Sequence, residues 1–182
     1  IYRWNRPVYD VARGKPHLRV ENRVLAAGPT VADTVANAAF YFGLVRALAE
    51  SERPRWSQMS FSAAEENFHA GARDGIGAQV YWPGVGTVGA TELVLRRLLP
   101  RARQGLDAWG MDAAERDRLL TIIEQRCLSG RNGARWQSQA LHAAMAEHPD
   151  DREEALREVV RAYSAHMHDN TPVHEWEPLS FG

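Results

Sequence analysis

Hydrophobic and polar residues alternate along two segments at the start of the chain. Residues 1–11 and 17–25 are rich in Tyr, Trp and Val, which are residue types that favour strands. The Arg-Gly-Lys-Pro sequence at 13–16 separates them and is typical of a turn. The pattern therefore predicts an antiparallel β-hairpin.

The period then changes to that of a helix. Thr30 is a predicted N-cap, with Asp33 three residues further on. Apolar residues follow at helical spacing. They are Val31, Val35, Ala38, Phe42, Val45 and Ala49. A long amphipathic helix is expected here.

The same signals predict further elements along the rest of the chain. A capping box from Ser62 to Glu65 begins a second helix that ends near Gly75. Residues 79–82 read as a short extended segment, residues 83–89 as a Pro- and Gly-rich loop, and residues 91–99 as a helix. Pro100 should kink or restart that helix, which Gly110 ends.

Three more helices complete the prediction. Asp112, with Glu115, caps the first, whose apolar face is Leu119, Ile122, Ile123 and Cys127. The second covers residues 134–147. Asp150, after Pro149, introduces the last helix and places Glu153 at the capping position. Residues after 169 are predicted to be irregular.

These elements define an α+β chain with an N-terminal antiparallel β-hairpin followed by about six helices. We expect a single domain over residues 1–182, comprising a hairpin region (1–28), a helical region (30–169) and an irregular tail (170–182). A lone hairpin is marginally stable. Its strands must therefore pack on the helices, pair with strands outside this sequence, or pair across a homodimer.

Composition narrows the class of protein. With 45% hydrophobic and 25% charged residues, a net charge of −1 and a pI near 6.7, the chain has the composition of a globular domain. Nothing in this balance favours nucleic acid or an anionic membrane as a partner. Among the 22 basic residues the only lysine is Lys15, and arginine suits bidentate contacts to carboxylate or phosphate. A codon bias explains the same enrichment.

The single cysteine, Cys127, cannot form an internal disulfide, and no signal peptide or membrane-spanning run is apparent. We therefore expect a cytoplasmic protein. The sequence opens on Ile1, inside a predicted strand and without an initiator methionine, so it is expected to come from a longer protein.

The second strand is predicted to carry charge on one face. Because side chains alternate along a strand, one side presents a charged set and the other Leu18, Val20, Asn22 and Val24. The charged set is Lys15, His17, Arg19, Glu21 and Arg23. Such a face suits an anionic substrate, with Glu21 placed to hold Mg²⁺ or an ammonium group. A solvated outer face of a sheet has the same pattern.

A second candidate is the Gly-rich basic loop at residues 129–137, Ser-Gly-Arg-Asn-Gly-Ala-Arg-Trp-Gln. Its backbone N–H groups and the helix that follows suit an anion, assisted by Arg131 and Arg135. It lacks the ending of a P-loop. An interhelical turn with solvated arginines is the alternative.

The third cluster combines His166, His168, His174 and Glu175 near the end of the chain. These positions span a predicted helix end, and no cysteine or second spaced pair completes a zinc site, so a metal role is not favoured. No Gly-x-Ser-x-Gly, His-Glu-x-x-His or Rossmann motif occurs.

Four segments taken together resemble the bacterial glutamate-cysteine ligase family of the carboxylate-amine ligase type. They share its order and spacing over nearly the whole chain. The segments are Arg6-Pro7 with LRVENRV (18–24), AEENFHAGARDG (64–75), GRNGARWQ (130–137) and PVHEW (172–176).

The resemblance implies a fragment of a glutamine-synthetase-like fold, in which a curved antiparallel sheet holds ATP, Mg²⁺ and glutamate. It implies phosphorylation of the γ-carboxylate of glutamate, followed by attack of an amine acceptor such as cysteine. Metal ions and arginines suit that chemistry because they neutralise charge on the transferred phosphoryl group.

The resemblance and the charged face of the second strand together give the candidate roles. Arg23 and Arg19 are candidate catalytic contacts, and Glu21 is the candidate metal ligand. The candidate residues for binding substrate or nucleotide are His17, Arg131 and Arg135. The paired glutamates of an early strand, which the family uses as metal ligands, have no counterpart here, so the chain is expected to be inactive alone. A non-catalytic helical interaction or regulatory module, docking through its charged strand, is the rival interpretation.

Overall fold

The computed structural model of the chain describes residues 4–180. It contains an N-terminal hairpin, β1 (Asn5–Ala12) and β2 (Lys15–Asn22), and a second, short hairpin, β3 (Gln79–Trp82) and β4 (Gly86–Gly89). The α-helices are α1 (Val31–Ala49), α2 (Phe61–Asp74), α3 (Ala90–Leu93), α4 (Leu99–Ala108), α5 (Ala113–Ser129), α6 (Gly133–Glu147) and α7 (Arg152–His168). A π-helical turn joins α3 to α4, so the described residues contain six separate helices. The predicted α+β class, with an N-terminal antiparallel hairpin followed by six helices, is confirmed.

The N-terminal hairpin forms where the alternation predicts it. Its strands pair antiparallel, with Tyr9 opposite Leu18 and Ala12 opposite Lys15. The two turn residues, Arg13 and Gly14, both have positive φ (50° and 74°), which suits the right-handed twist of a tight hairpin. The part of the predicted first strand at residues 1–3 lies outside the described residues.

Some predicted helix boundaries are wrong by one or two residues. Ser60, rather than Ser62, caps α2 by accepting a hydrogen bond from Ala63 N, and Asp151, rather than Asp150, caps α7. The neighbouring Ser and Asp residues offer equivalent capping oxygens in the sequence. The backbone conformation at the start of each helix decides which of the two residues is the N-cap. The caps Thr30 and Asp112 are confirmed.

The expected loop at residues 83–89 contains a strand. β4 pairs antiparallel with β3, and Val80 lies opposite Val88. The side chain of Asn67 on α2 holds this hairpin, because its Nδ2 donates to Tyr81 O and its Oδ1 accepts from Tyr81 N, both at 2.7 Å. The Gly-rich strand carries little β-propensity, so this tertiary contact was not predictable from local sequence.

Pro100 is accommodated without a break in the helix. The turn Val94–Leu98 is π-helical, and Leu99 N donates to Val94 O, five residues earlier. Proline lacks an N–H and its ring crowds the carbonyl four residues before it. The wider π turn relieves this crowding.

The buried face of α1 differs from the predicted stripe. Val31 and Phe42 are 70% and 57% exposed, whereas Ala36 is fully buried. Helices α1 and α4 approach so closely that a Cβ at Gly43 would lie 2.3 Å from Ala102 O, and a Cβ at Gly105 would lie 1.9 Å from Gly43 O. Small residues allow this contact, so they, and not the larger apolar residues, face the core.

Two apolar clusters stabilise the fold. The first joins α1, α4 and α5 through Ala32, Ala36, Ala39, Leu99, Ala102, Leu106, Leu119, Leu120, Ile122 and Ile123. The second joins α6 to the C-terminal tail through Trp136, Ala140, Val173 and Trp176. The tail has only a 3₁₀ turn (Val173–Glu175) but is firmly packed, because Val173 and Trp176 are fully buried.

Within residues 4–180, no helix combines the length and the apolar character needed to cross a membrane.

Candidate functional site

The charged face of the N-terminal hairpin is the first candidate site. Cross-strand pairing places Arg6 opposite Glu21 and Asp10 opposite His17. The Glu21 carboxylate contacts Arg6 through one oxygen, and the other oxygen accepts from Arg23 Nε at 3.0 Å. Arg19 donates through Nη1 to Oδ2 of Asp10. The predicted residues Arg19, Glu21 and Arg23 therefore share one face, as the alternation requires.

These contacts determine the electrostatics of the face. Partial burial raises the pKa of Glu21, but bonds and charges from Arg6 and Arg23 outweigh this effect, so its pKa lies below the ordinary value. The hydrogen bond from Arg19 likewise lowers the pKa of Asp10. Both carboxylates are therefore ionised at neutral pH, each in contact with at least one arginine.

The opposite face of the same hairpin is apolar and exposed. Tyr9, Leu18 and Val20 are 69%, 80% and 67% exposed. The base of the hairpin docks on α2, where the ring of Trp4 stacks on that of Phe68 with their centroids 4.3 Å apart. The hairpin is thus anchored to α2 at one end. No described residue covers its apolar face.

The Gly-rich loop is the second candidate site. Gly130 ends α5 in the left-handed conformation (φ 63°), and the Asn132 side chain caps α6 by accepting from Arg135 N at 2.9 Å. Gly133 packs against Pro29, where a Cβ would lie 2.7 Å from the proline ring. The loop therefore has a defined backbone path.

The two arginines of this loop have different surroundings. Arg131 donates through Nη1 to the carbonyl oxygens of His174 and Trp176, so it ties the tail to the loop. Arg135 is exposed and lies beside two clefts, one shared with Arg131 and Cys127 and one shared with Arg73 and Asp74. The structure thus brings the segment 64–75 next to the segment 130–137.

A larger cleft of about 630 Å³ lies on the other side of the loop. It is lined by residues 26–29, which follow the hairpin, and by Asn132, Gly133 and Gln137. Tyr163 and Val173 contribute from α7 and the tail. Three of the four segments that carry the family resemblance therefore meet at this loop. They are residues 64–75, residues 130–137, which include the loop itself, and residues 172–176.

Beneath this cleft is a buried ion pair that the sequence did not reveal. Asp33 is fully buried and accepts from Arg126 Nε at 3.1 Å, from Thr30 Oγ1 at 2.8 Å and from Val173 N at 3.1 Å. Arg126 also donates to Asn37 Oδ1 at 2.6 Å. The capping motif at Thr30 marked Asp33 but carried no signal for Arg126, which lies 93 residues away.

The surroundings of Cys127 and His166 do not favour an alternative chemistry at either residue. Burial raises the pKa of the Cys127 thiol to about 11, so it is protonated and a poor nucleophile at neutral pH. His166 stacks on Trp176 with ring centroids 4.8 Å apart. Between residues 4 and 180, no group of three or more His, Cys, Asp or Glu side chains is arranged to hold a metal ion.

The described residues do not by themselves fit a Mg²⁺ site. Mg²⁺ prefers several oxygen ligands, whereas Glu21 has both oxygens in contact with arginine. For Glu21 to bind a metal, at least one of these arginines would have to move and further ligands would have to come from elsewhere. The metal role of Glu21 stays a prediction, as do the substrate roles of His17, Arg19, Arg23, Arg131 and Arg135.

An α+β chain with an arginine-rich strand face and a basic Gly-rich loop is suited to anionic small molecules. The chain belongs to glutamate-cysteine ligase family 2, whose family model matches residues 2–162. Membership supports a glutamate-cysteine ligase-like function and confirms the resemblance read from the sequence. The tail segment 172–176 lies outside the matched range. Searches of curated proteins and of solved structures found no match to this chain.

Proposed function

We propose that this chain is the C-terminal part of an ATP-dependent carboxylate-amine ligase that joins glutamate to cysteine. The product is γ-glutamylcysteine, formed when the cysteine amine attacks a γ-glutamyl phosphate. The family match over residues 2–162 carries the proposal. The charged hairpin face supports it, because its arginines suit the phosphate and carboxylate groups of such substrates.

The candidate residues are given the following proposed roles, with His17, which lies opposite Asp10, as a further substrate contact. Arg23 and Arg19 contact the carboxylate or the transferred phosphoryl group, and Glu21 orients Arg6 and Arg23 unless a metal displaces one of them. Arg135 lines an open cleft and is the candidate nucleotide contact. Arg131 holds the tail against the loop, and its contact with the nucleotide stays a prediction. ATP would supply the phosphoryl group, and a Mg²⁺ ion that offsets its charge would need ligands from outside residues 4–180.

We further propose that residues 1–182 do not catalyse this reaction alone. Metal-assisted phosphoryl transfer needs carboxylate ligands, and residues 4–180 contain no suitable group. The exposed apolar face with Tyr9, Leu18 and Val20 is consistent with packing against residues outside this sequence, from the same protein or from a second copy. We expect a cytoplasmic enzyme with no nucleic-acid or membrane partner.

The test compares two proteins under the same assay. The 182-residue chain and the protein expressed with the coding sequence upstream of Ile1 are each supplied with ATP, Mg²⁺, glutamate and cysteine. We expect ADP and γ-glutamylcysteine, measured by coupled assay and mass spectrometry, only from the longer protein. Product from the 182-residue chain would overturn the proposed inactivity. No product from the longer protein would favour the non-catalytic module.

Two variants of the longer protein test the face itself. Arg23→Ala removes a charge-assisted contact and should lower kcat/KM by roughly 30- to 1,000-fold, and Glu21→Gln should raise the Mg²⁺ requirement if Glu21 binds metal. Arg118→Ala is the matched control, because Arg118 is exposed on α5 and its guanidinium bonds Glu115 of the same helix. If both variants keep the kcat/KM and the Mg²⁺ requirement of the parent protein, the charged face is a solvated surface without a catalytic role.

A further inference from the structure

A separate pocket lies at the other end of α1. It has a volume of about 270 Å³ and is lined by the last turn of α1, the 3₁₀ turn Arg55–Ser57 and one face of α4. Arg101, Gln104 and Ala108 share that face because they are three or four residues apart. Helix α1 has 19 residues, so this pocket is roughly 28 Å from the cleft at Gly28 and Pro29.

The pocket concentrates positive charge. Arg55 and Arg101 both line it, and Arg97 is close enough to affect Arg101 electrostatically. Glu50 also lines the pocket, but its carboxylate is bonded at 2.7 Å to Arg46, whose positive charge balances it. The two lining arginines therefore lack a carboxylate of their own among the described residues.

Donors of both arginines are buried without an acceptor. Within residues 4–180, Arg55 Nε and Arg101 Nη1 are shielded from solvent and have no hydrogen-bond partner. Burial lowers the pKa of Arg101, and the charges of Arg55 and Arg97 lower it further. Unpaired buried donors on a cation are costly. An anion in the pocket, beside the two guanidinium groups, would offset the repulsion between their like charges.

Helix electrostatics alone do not account for the arrangement. The C-terminal turns of α1 and α4 both border the pocket, and cations are favoured at helix C-termini. That effect explains why positive charge is tolerated here. It does not supply an acceptor for Arg55 Nε or Arg101 Nη1, and it does not require two arginines to converge.

We propose that this pocket binds a small oxyanion of the phosphate class, held by Arg101 and Arg55. Ser51 and Gln104 line the same pocket and add neutral donors. A guanidinium presents parallel N–H groups that match two oxygens of a phosphate. The site goes beyond the proposed ligase function, because none of its residues belongs to the hairpin face or the Gly-rich loop.

Calorimetric titration of the 182-residue chain with inorganic phosphate, at ionic strength held constant with chloride, tests the proposal. We expect saturable binding, and Arg101→Gln should weaken it at least about tenfold, since a hydrogen bond to a charged group is lost. Arg55→Gln should weaken it similarly and serves as the second variant if Arg101→Gln does not fold. Arg96→Gln is the matched control, because Arg96 is on the same continuous helix, 76% exposed and paired with Glu92.

Phosphate should also raise the melting temperature of the parent chain and of Arg96→Gln, but not that of Arg101→Gln. The same titration with ADP separates free phosphate from a nucleotide as the source of the anion. Tighter binding of ADP that is lost in Arg101→Gln would identify a nucleotide phosphate. Absence of saturable phosphate binding, or equal binding by parent chain and Arg101→Gln, would overturn the proposal whether or not the ligase activity is found.

Discussion

Asp33 and Arg126 form an ion pair whose members make further hydrogen bonds to Thr30, Asn37 and Val173. Asp33 is fully buried, and the pair links α1, α5 and the tail. Forming a buried ion pair contributes little net stability, but breaking one leaves an uncompensated charge. Asp33 is therefore more than part of the capping motif at Thr30, because its loss would leave the Arg126 charge without its partner.

Asp33→Asn should lower the free energy of unfolding by about 3 kcal/mol or more, because Arg126 loses its charged partner inside the protein. Urea denaturation followed by circular dichroism measures the change. Glu153→Gln removes an exposed partner of Arg157 and should cost less than about 1 kcal/mol. Equal effects of the two variants would contradict this interpretation.

His174 gives the tail a pH dependence. Burial lowers its pKa below 6.5, Glu175 and Asp33 oppose this effect, and Arg126 and Arg131 add to it. The unfolded chain therefore binds a proton at higher pH than the folded chain. Stability from the neutral imidazole is complete above pH 6.5 and is lost as pH falls through the folded pKa.

Unfolding free energies measured from pH 8 down to pH 5 should decrease more steeply for the parent chain than for His174→Gln, which cannot titrate. The carboxylates with lowered pKa values, such as Glu21 and Glu154, lose their stabilisation at lower pH, below about their ordinary value of 4.5. Parallel pH profiles for the two proteins would show that His174 does not titrate in this range.

At the scale of elements, the contact between α1 and α4 depends on two glycines. A Cβ at Gly43 would lie 2.3 Å from Ala102 O, which is backbone and cannot rotate away. The helices must therefore separate if the side chain grows. By contrast, a Cβ at Gly71 on α2 meets nothing within 4 Å.

Gly43→Ala should destabilise the chain by about 1–3 kcal/mol through overpacking. Gly71→Ala is the matched control and should stabilise it by about 0.4–1 kcal/mol, because alanine restricts the unfolded chain and favours helix. Thermal and urea unfolding of the two variants measures the expected loss of stability in Gly43→Ala and the expected gain in Gly71→Ala. A neutral Gly43→Ala would mean that α1 and α4 are not in close contact.

At the scale of the whole molecule, the tail completes the second apolar cluster. Trp176 is fully buried against Trp136 and Tyr163, with ring centroids 5.0 and 5.2 Å away. Its Nε1 donates to Thr171 O at 2.6 Å. The packing of α6 and α7 therefore depends on residues that have almost no regular secondary structure.

Trp176→Ala should cost about 3–5 kcal/mol, because a large buried side chain leaves a cavity. Trp56→Ala, at a position 83% exposed, should change stability by less than about 0.5 kcal/mol. Urea titrations monitored by circular dichroism compare them without relying on tryptophan emission. A small effect at Trp176 would show that the tail is not part of the cooperative fold.

The sequence by itself determined the order and type of most elements in this protein. Alternation and turn chemistry located the hairpin, helical spacing and most caps located the helices, and the order of motifs indicated the family. These signals are local, or depend only on order along the chain. They also placed Arg19, Glu21 and Arg23 on one face, because the period of a strand is two residues.

Only the tertiary structure decided which surfaces are buried and which charges meet. The exposure of Val31 and Phe42, the close contact at Gly43 and the pairing of Asp33 with Arg126 all depend on elements far apart in sequence. Apolar spacing shows that a helix has a buried side, but packing against a neighbour selects which side it is. The bond from Arg131 to the tail backbone could not be predicted either, because long-range packing sets the position of the tail. The nucleotide contact of Arg131 stays a prediction.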